Sequence, residues 1–252
     1  MNETDERYER TAPRRRRKRK RHPIRTLLIL LAFVVVALRV CTALSARSDV
    51  PETPDFPWDT DEPVSQPTEQ PTEPPVDKYL IVINEDNPLT EEDMPDYEIV
   101  SAYGVIPVLT SDVALERETL EAVSQLIRAA REAGIKNLLV NDGYRNREEQ
   151  QRIYDAAEDK SLVQLPDCSE HRTGLAADIA ARGIAGNLMG ESEEGKWLAD
   201  NAWKFGLILR YPEDKQDITG ISYEPWHFRY IGLEAAQYIY ANGLCLEEFE
   251  GI

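Results

Sequence analysis

Only three histidines occur in the 252 residues, and two of them stand in dense polar clusters. His171 lies within Ser169-Glu170-His171-Arg172-Thr173-Gly174-Leu175-Ala176-Ala177-Asp178, and His227 within Glu224-Pro225-Trp226-His227-Phe228-Arg229-Tyr230. A turn at Thr173-Gly174 followed by a strand would bring the His171 imidazole and the Asp178 carboxylate together. In an extended second segment alternate side chains share a face, so His227 and Arg229 point one way and Trp226, Phe228 and Tyr230 the other. Two imidazoles and a carboxylate are three ligands of the types that hold zinc. A fourth position is left for water, as in catalytic rather than structural zinc sites. A nearby carboxylate that does not bind the ion acts as base toward such a water. Glu224, just before His227, has that place. Spacing alone leaves the alternative open: each histidine a satisfied structural residue, each acid a surface charge.

The elements that must position these groups read as helices and short strands in irregular alternation. Leu120, Val123, Leu126, Ile127 and Ala130 recur at helical spacing within Thr119 to Ala133, and Gly134 stops the run. A second helix is expected over Asn146 to Ala157, with Asn146 as cap and Glu148 and Glu149 in the first turn. Two more are expected over Glu193 to Phe205, ended by Gly206, and over Leu233 to Ala241, before Gly243. Tyr79 to Ile83, Lys136 to Asn141, Leu207 to Leu209 and Trp226 to Tyr230 read as strands. No doubly wound βαβ series is present. The expected fold is therefore a single α+β domain, residues 79–252, of helices packed on a small, largely antiparallel sheet.

The first 78 residues differ in kind. Residues 1–25 net +7, with eight consecutive basic residues from Arg14 to Arg21. Leu27 to Leu38 is an unbroken apolar run, and Thr26 to Leu44 is 19 residues, about 28 Å of helix against a hydrocarbon core of about 30 Å. A signal-anchor over 26–44 is expected, with a cleavable signal as the alternative. Arg39 snorkels to the interface and Cys41 lies in the span. The basic block holds the N-terminus in the cytoplasm and binds anionic lipid, which puts the globular domain outside the cell membrane. Residues 45–78 hold eight of the sixteen prolines and net -7, a disordered spacer too polar to bury a core. Residues 79–252 net -18. A domain this acidic excludes a nucleic-acid partner, whose recognition needs a basic face.

Ser169-x-His171-x-x-Gly174-x-Ala176-x-Asp178 followed by Glu224-x-Trp226-His227-x-Arg229-Tyr230 resembles the VanY-type D-alanyl-D-alanine carboxypeptidases, a family of zinc peptidases. Gly143 to Gln150, Phe205 to Pro212 and Thr219 to Tyr223 fit the same pattern, and the likeness runs over about residues 77–244. The resemblance implies Zn²⁺ held by His171, Asp178 and His227, with Glu224 as catalytic base. It also implies that Arg145 and Gln150 hold the substrate's terminal region and that Ser169 lines the same pocket. An arginine suits a terminal carboxylate because its fork donates two parallel hydrogen bonds; steadying the oxyanion of the intermediate is its alternative task. The implied reaction is removal of the C-terminal D-Ala from peptidoglycan stem peptides by a monomeric enzyme. L,D-carboxypeptidase action on tetrapeptides and an inactive wall-binding module are the alternatives. Asp167, Cys168 and Arg172 depart from the family's usual residues beside the cleft. Cys168 and Cys245 are expected as free thiols, with a disulfide as the other option. The Ser-x-x-Lys and Lys-Thr-Gly motifs of serine penicillin-binding enzymes are absent.

Overall fold

Helix α1, Arg117–Glu132, buries one stripe of Thr119, Leu120, Ala122, Val123, Leu126, Ile127 and Ala130. The Glu116 side chain caps it by accepting a hydrogen bond from the Thr119 amide at 2.8 Å. The computed structural model describes residues 78–92, 94–160 and 163–252. The basic tail and the 26–44 span lie outside the described residues, as does all of the 45–78 spacer but Lys78. Among the described residues no helix is long and apolar enough to cross a membrane.

The stripe of α1 packs into one hydrophobic core with a four-stranded sheet. Its strands are β3 (Leu138–Asp142), β4 (Ala176–Ala181), β5 (Leu207–Leu209) and β6 (His227–Tyr230). Their order is β3-β4-β6-β5 and every neighbouring pair is antiparallel. A two-stranded ribbon, β1 (Ile99–Ser101) and β2 (Ala114–Glu116), is also antiparallel. The remaining helices are α2 (Arg147–Ala156), α3 (Glu193–Asn201), α4 (Leu233–Asn242) and α5 (Leu246–Glu250), with one-turn helices at Leu188–Glu191 and Gln216–Thr219. The architecture is thus α+β with small antiparallel sheets.

Two expectations need correction. Tyr79 to Ile83 is not a strand. Its backbone is held by a side chain instead: Arg229 donates from Nη2 to the carbonyls of Tyr79 and Ile81, each at 2.9 Å. The helix expected through Phe205 ends at Asn201 and tightens into a 3₁₀ turn, Ala202–Phe205, before Gly206 reverses the chain at φ 80°. Cys168 and Cys245 are both buried free thiols.

Gly174 closes the turn between His171 and β4 with φ +72°. A Cβ there would come within 2.6 Å of the Ile99 side chain and 2.8 Å of the Glu116 amide nitrogen. Gly174→Ala therefore combines left-handed strain of about 1–3 kcal/mol with overpacking against backbone that cannot step aside. We expect thermal unfolding to show a loss of at least about 2 kcal/mol.

Candidate active site

Asp178 and His227 are direct cross-strand partners in the β4–β6 register, which fixes both side chains at one point of the sheet. His227 Nδ1 lies 3.1 Å from Asp178 Oδ1. His171 arrives from the 3₁₀ turn Glu170–Thr173 that Gly174 ends, and its Nε2 lies 3.4 Å from the same Asp178 oxygen. One ligand atom from each of the three falls within 4.8 Å of the others, and this is the one such group of metal-ligating side chains among the described residues. The other ring nitrogens are also engaged. His171 Nδ1 is 2.6 Å from the carbonyl of Gly143, and His227 Nε2 is 3.4 Å from Glu170 Oε2. Partners of this kind set the tautomer and the plane of a metal-ligating ring.

Burial opposes an ionised Asp178, but the two imidazoles hold its pKa well below the usual carboxylate range. Burial likewise opposes a charged His227, yet its hydrogen bonds to Asp178 and Glu170 push the imidazole up to about 9. His171 moves down, through burial and then the nearby Arg145. Asp178 is held ionised between the two imidazoles, and the donor set of two nitrogens and an oxygen suits zinc.

Glu224 Oε2 stands 3.7 Å from His227 Nδ1. Burial raises its pKa, with His227 pulling the other way. It lines a cleft of about 220 Å³ together with Arg145, Gln150, Ser169, Tyr211 and Trp226. Arg145 is placed by the Gly143–Arg145 turn after β3, where its amide donates to the carbonyl of His171 at 3.1 Å. Its Nε lies 3.6 Å from Asp142 Oδ2. Gly143 permits this turn, since a Cβ there would meet the Ala114 carbonyl oxygen at 2.3 Å. Gln150, on α2, is buried and donates from Nε2 to the Gln164 carbonyl at 2.7 Å, leaving Oε1 with no hydrogen-bond donor among the described residues. The Asn146 capping box with Glu149 fixes the start of that helix. Ser169 is buried in the cleft wall.

All seven residues singled out from the sequence therefore border one cleft. Residues that the sequence reading did not single out stand beside them: Tyr211 and Trp226 in the wall, and Glu170 with Arg210, Arg229 and Glu247 behind His227. Glu170 and Arg229 had a sequence signal, since one adjoins His171 and the other alternates with His227. Arg210 had only its place in the Phe205 to Pro212 stretch that fits the family pattern, and Glu247 had none.

A family model described as VanY, D-alanyl-D-alanine carboxypeptidase, matches residues 112–233. A D-alanyl-D-alanine carboxypeptidase of Enterococcus faecium is 36% identical over 179 residues, covering 68% of this chain and 56% of that one. The chain thus spans little more than half the length of that relative. The bifunctional D-Ala-D-Ala dipeptidase and carboxypeptidase VanXYC of Enterococcus gallinarum is 37% identical over 183 residues, 68% of this chain and 92% of that one. Among solved structures, the LdcB LD-carboxypeptidase aligns with a TM-score of 0.61 at 34% identity, over 68% of this chain and 84% of that one. A mutant of the vancomycin resistance D,D-pentapeptidase VanY, in complex with Zn(II), aligns with a TM-score of 0.55 at 37% identity, over 68% and 98%. With sequence motifs, fold and matched relatives in agreement, the chain belongs to the VanY family of D-alanyl-D-alanine carboxypeptidases.

Proposed function

We propose that the protein is a zinc metallocarboxypeptidase that removes the C-terminal D-Ala from peptidoglycan stem peptides. The observation that carries this reading is the convergence of His171, Asp178 and His227 on one point, with Glu224 beside them and Arg145 in the same cleft. His171 Nε2, Asp178 Oδ1 and His227 Nδ1 would hold the ion. Zinc bound there supplies Lewis acidity toward the scissile carbonyl and makes water a better nucleophile at neutral pH. Glu224 accepts a proton from the attacking water and delivers it to the amine of the departing D-Ala. Arg145 pairs with the terminal carboxylate, the group that defines a carboxypeptidase substrate. Gln150 Oε1 accepts from a substrate N–H at the same end, and Ser169 shapes the pocket. The enzyme works as a monomer at the outer face of the cell membrane. The 26–44 span holds it there, the basic tail lies on cytoplasmic anionic lipid, and the spacer reaches toward the wall. Protease protection of the tail in intact cells, with digestion of the globular domain, tests that topology.

A pentapeptide ending D-Ala-D-Ala, incubated with the full chain in detergent, should lose one alanine by mass spectrometry. A chelator should stop the reaction and Zn²⁺ restore it. The LdcB likeness favours a second reading, L,D-cleavage of a tetrapeptide. Conversion of tetrapeptide alone in the same assay would select it.

Metal affinity should also depend on pH. In the metal-free protein His227 is protonated below its pKa of about 9, so an ion arriving at neutral pH displaces a proton. Apparent affinity should therefore rise about tenfold per unit from pH 7 toward 9 and level off above. Zinc titrations against a competing chelator at pH 7, 8 and 9 would show it, and a flat profile would contradict it.

A further inference from the structure

His227 turns one nitrogen to Asp178 and the other to Glu170, which sits within a fully buried cluster of charged side chains. Glu170 Oε2 faces the His227 ring. Glu170 Oε1 accepts a hydrogen bond from Arg210 Nε at 2.7 Å and forms an ion pair with Arg229, whose Nη1 lies 2.9 Å away without hydrogen-bond geometry. Arg210 in turn grips Glu247 with both terminal nitrogens, at 2.8 and 2.6 Å. Arg210 and Arg229 are 0% exposed, Glu170 1% and Glu247 3%, so no bulk water screens these contacts. Two carboxylates and two guanidiniums leave the cluster neutral as a set. The two arginines hold Glu170 ionised, its pKa well below the carboxylate range despite burial. Glu247 lies in α5, outside the 112–233 span that the family model matches.

We propose that Glu247 is a positioning residue for the metal site: through Arg210 it fixes Glu170, and Glu170 fixes the tautomer and plane of the His227 ring. A purely structural cluster would need only its four charges paired. Here Glu170 gives one oxygen to both arginines and keeps the other for the imidazole, so whatever moves Arg210 moves the acceptor that His227 depends on. Glu247 is the carboxylate that counters Arg210 from the far side. Without it the whole pull of Arg210 falls on Glu170, drawing its negative charge away from Nε2–H and making His227 a weaker ligand. The inference rests on the proposed metal site.

The test measures Zn²⁺ affinity of the apo full chain by chelator competition, with the visible spectrum of the Co²⁺ form as a second readout. Changes to such outer partners cost about 10–100-fold in metal affinity. Glu170→Gln is expected in that range and Glu247→Gln near its lower end, about tenfold, each with an altered Co²⁺ spectrum. The double variant should bind as weakly as Glu170→Gln alone, because both act through one route. Glu248→Gln, on the same helix, removes the Lys215 ion pair at 2.9 Å and should leave affinity and spectrum unchanged. If Glu247→Gln does not fold, Arg210→Met with Glu247→Leu removes both charges at similar volume; the pull on Glu170 then goes with Arg210, but Glu170 loses the partner that fixes its Oε1, so the Co²⁺ spectrum should still change. Wild-type affinity and spectrum in whichever of these folds, or additive losses in the double variant, would overturn the proposal while leaving the metal site standing. A wild type that binds neither ion overturns both.

Discussion

Glu224→Gln should lower kcat by about 10²–10⁴-fold, the usual contribution of a positioned general base, while bound zinc and KM change little. The amide keeps the volume and planarity of the carboxylate but cannot accept a proton from water. Glu224 lies 3.7 Å from His227 Nδ1, close enough to serve the same reaction centre and outside the three-residue ligand group. Burial raises its pKa, so the carboxylate is a stronger base than an exposed glutamate and matches better the amine it must finally protonate. Its backbone leaves little freedom to drift, since the Glu224 amide donates to the Tyr211 carbonyl and its own carbonyl accepts from the His227 amide, both at 3.1 Å. Steady-state D-Ala release together with metal content per chain decides the point. Undiminished kcat would remove Glu224 from the mechanism, and loss of zinc along with activity would make it a ligand instead of a base.

The elements around the site were legible in the sequence where one local signal set them. The α1 stripe, the Asn146 cap and the glycine reversals at Gly134, Gly206 and Gly243 each depend on neighbours a few residues away. The His171–Asp178 approach was legible for the same reason, because one turn and one strand span it. Tyr79 to Ile83 misled because an apolar run says that a segment is buried without saying what satisfies its carbonyls. Here an arginine about 150 positions away does so. The β1–β2 ribbon was missed because three-residue strands carry too little alternation to read. The cross-strand register that sets Asp178 against His227 is a pairing of distant segments, and spacing could suggest it but not fix it. Arg210 and Glu247 lay furthest from view. Each reads as an ordinary surface charge in its own segment, and only the fold buries them against each other.

Arg145→Met should lower kcat/KM for a peptide with a free C-terminus by about 10–150-fold, the loss from a charge-assisted hydrogen bond worth about 1.5–3 kcal/mol. The Arg145 backbone is fixed by its amide on the His171 carbonyl, and Asp142 lies 3.6 Å from its Nε, an attraction that biases the guanidinium toward the cleft before substrate arrives. Its side chain is only 15% exposed, which limits competition from water. Methionine keeps much of the length and removes the donors. Arg145→Lys keeps the charge but not the fork, and should recover only part of the loss. The decisive comparison uses the same peptide capped as a C-terminal amide. If Arg145 reads the terminal carboxylate, wild type should lose about as much on the capped peptide as the variant loses on the free one. The variant should then lose little more when both changes are combined. If Arg145 instead steadies the oxyanion, capping and substitution act on different atoms, and their effects should multiply. One four-way set of rates therefore separates carboxylate recognition from transition-state stabilisation.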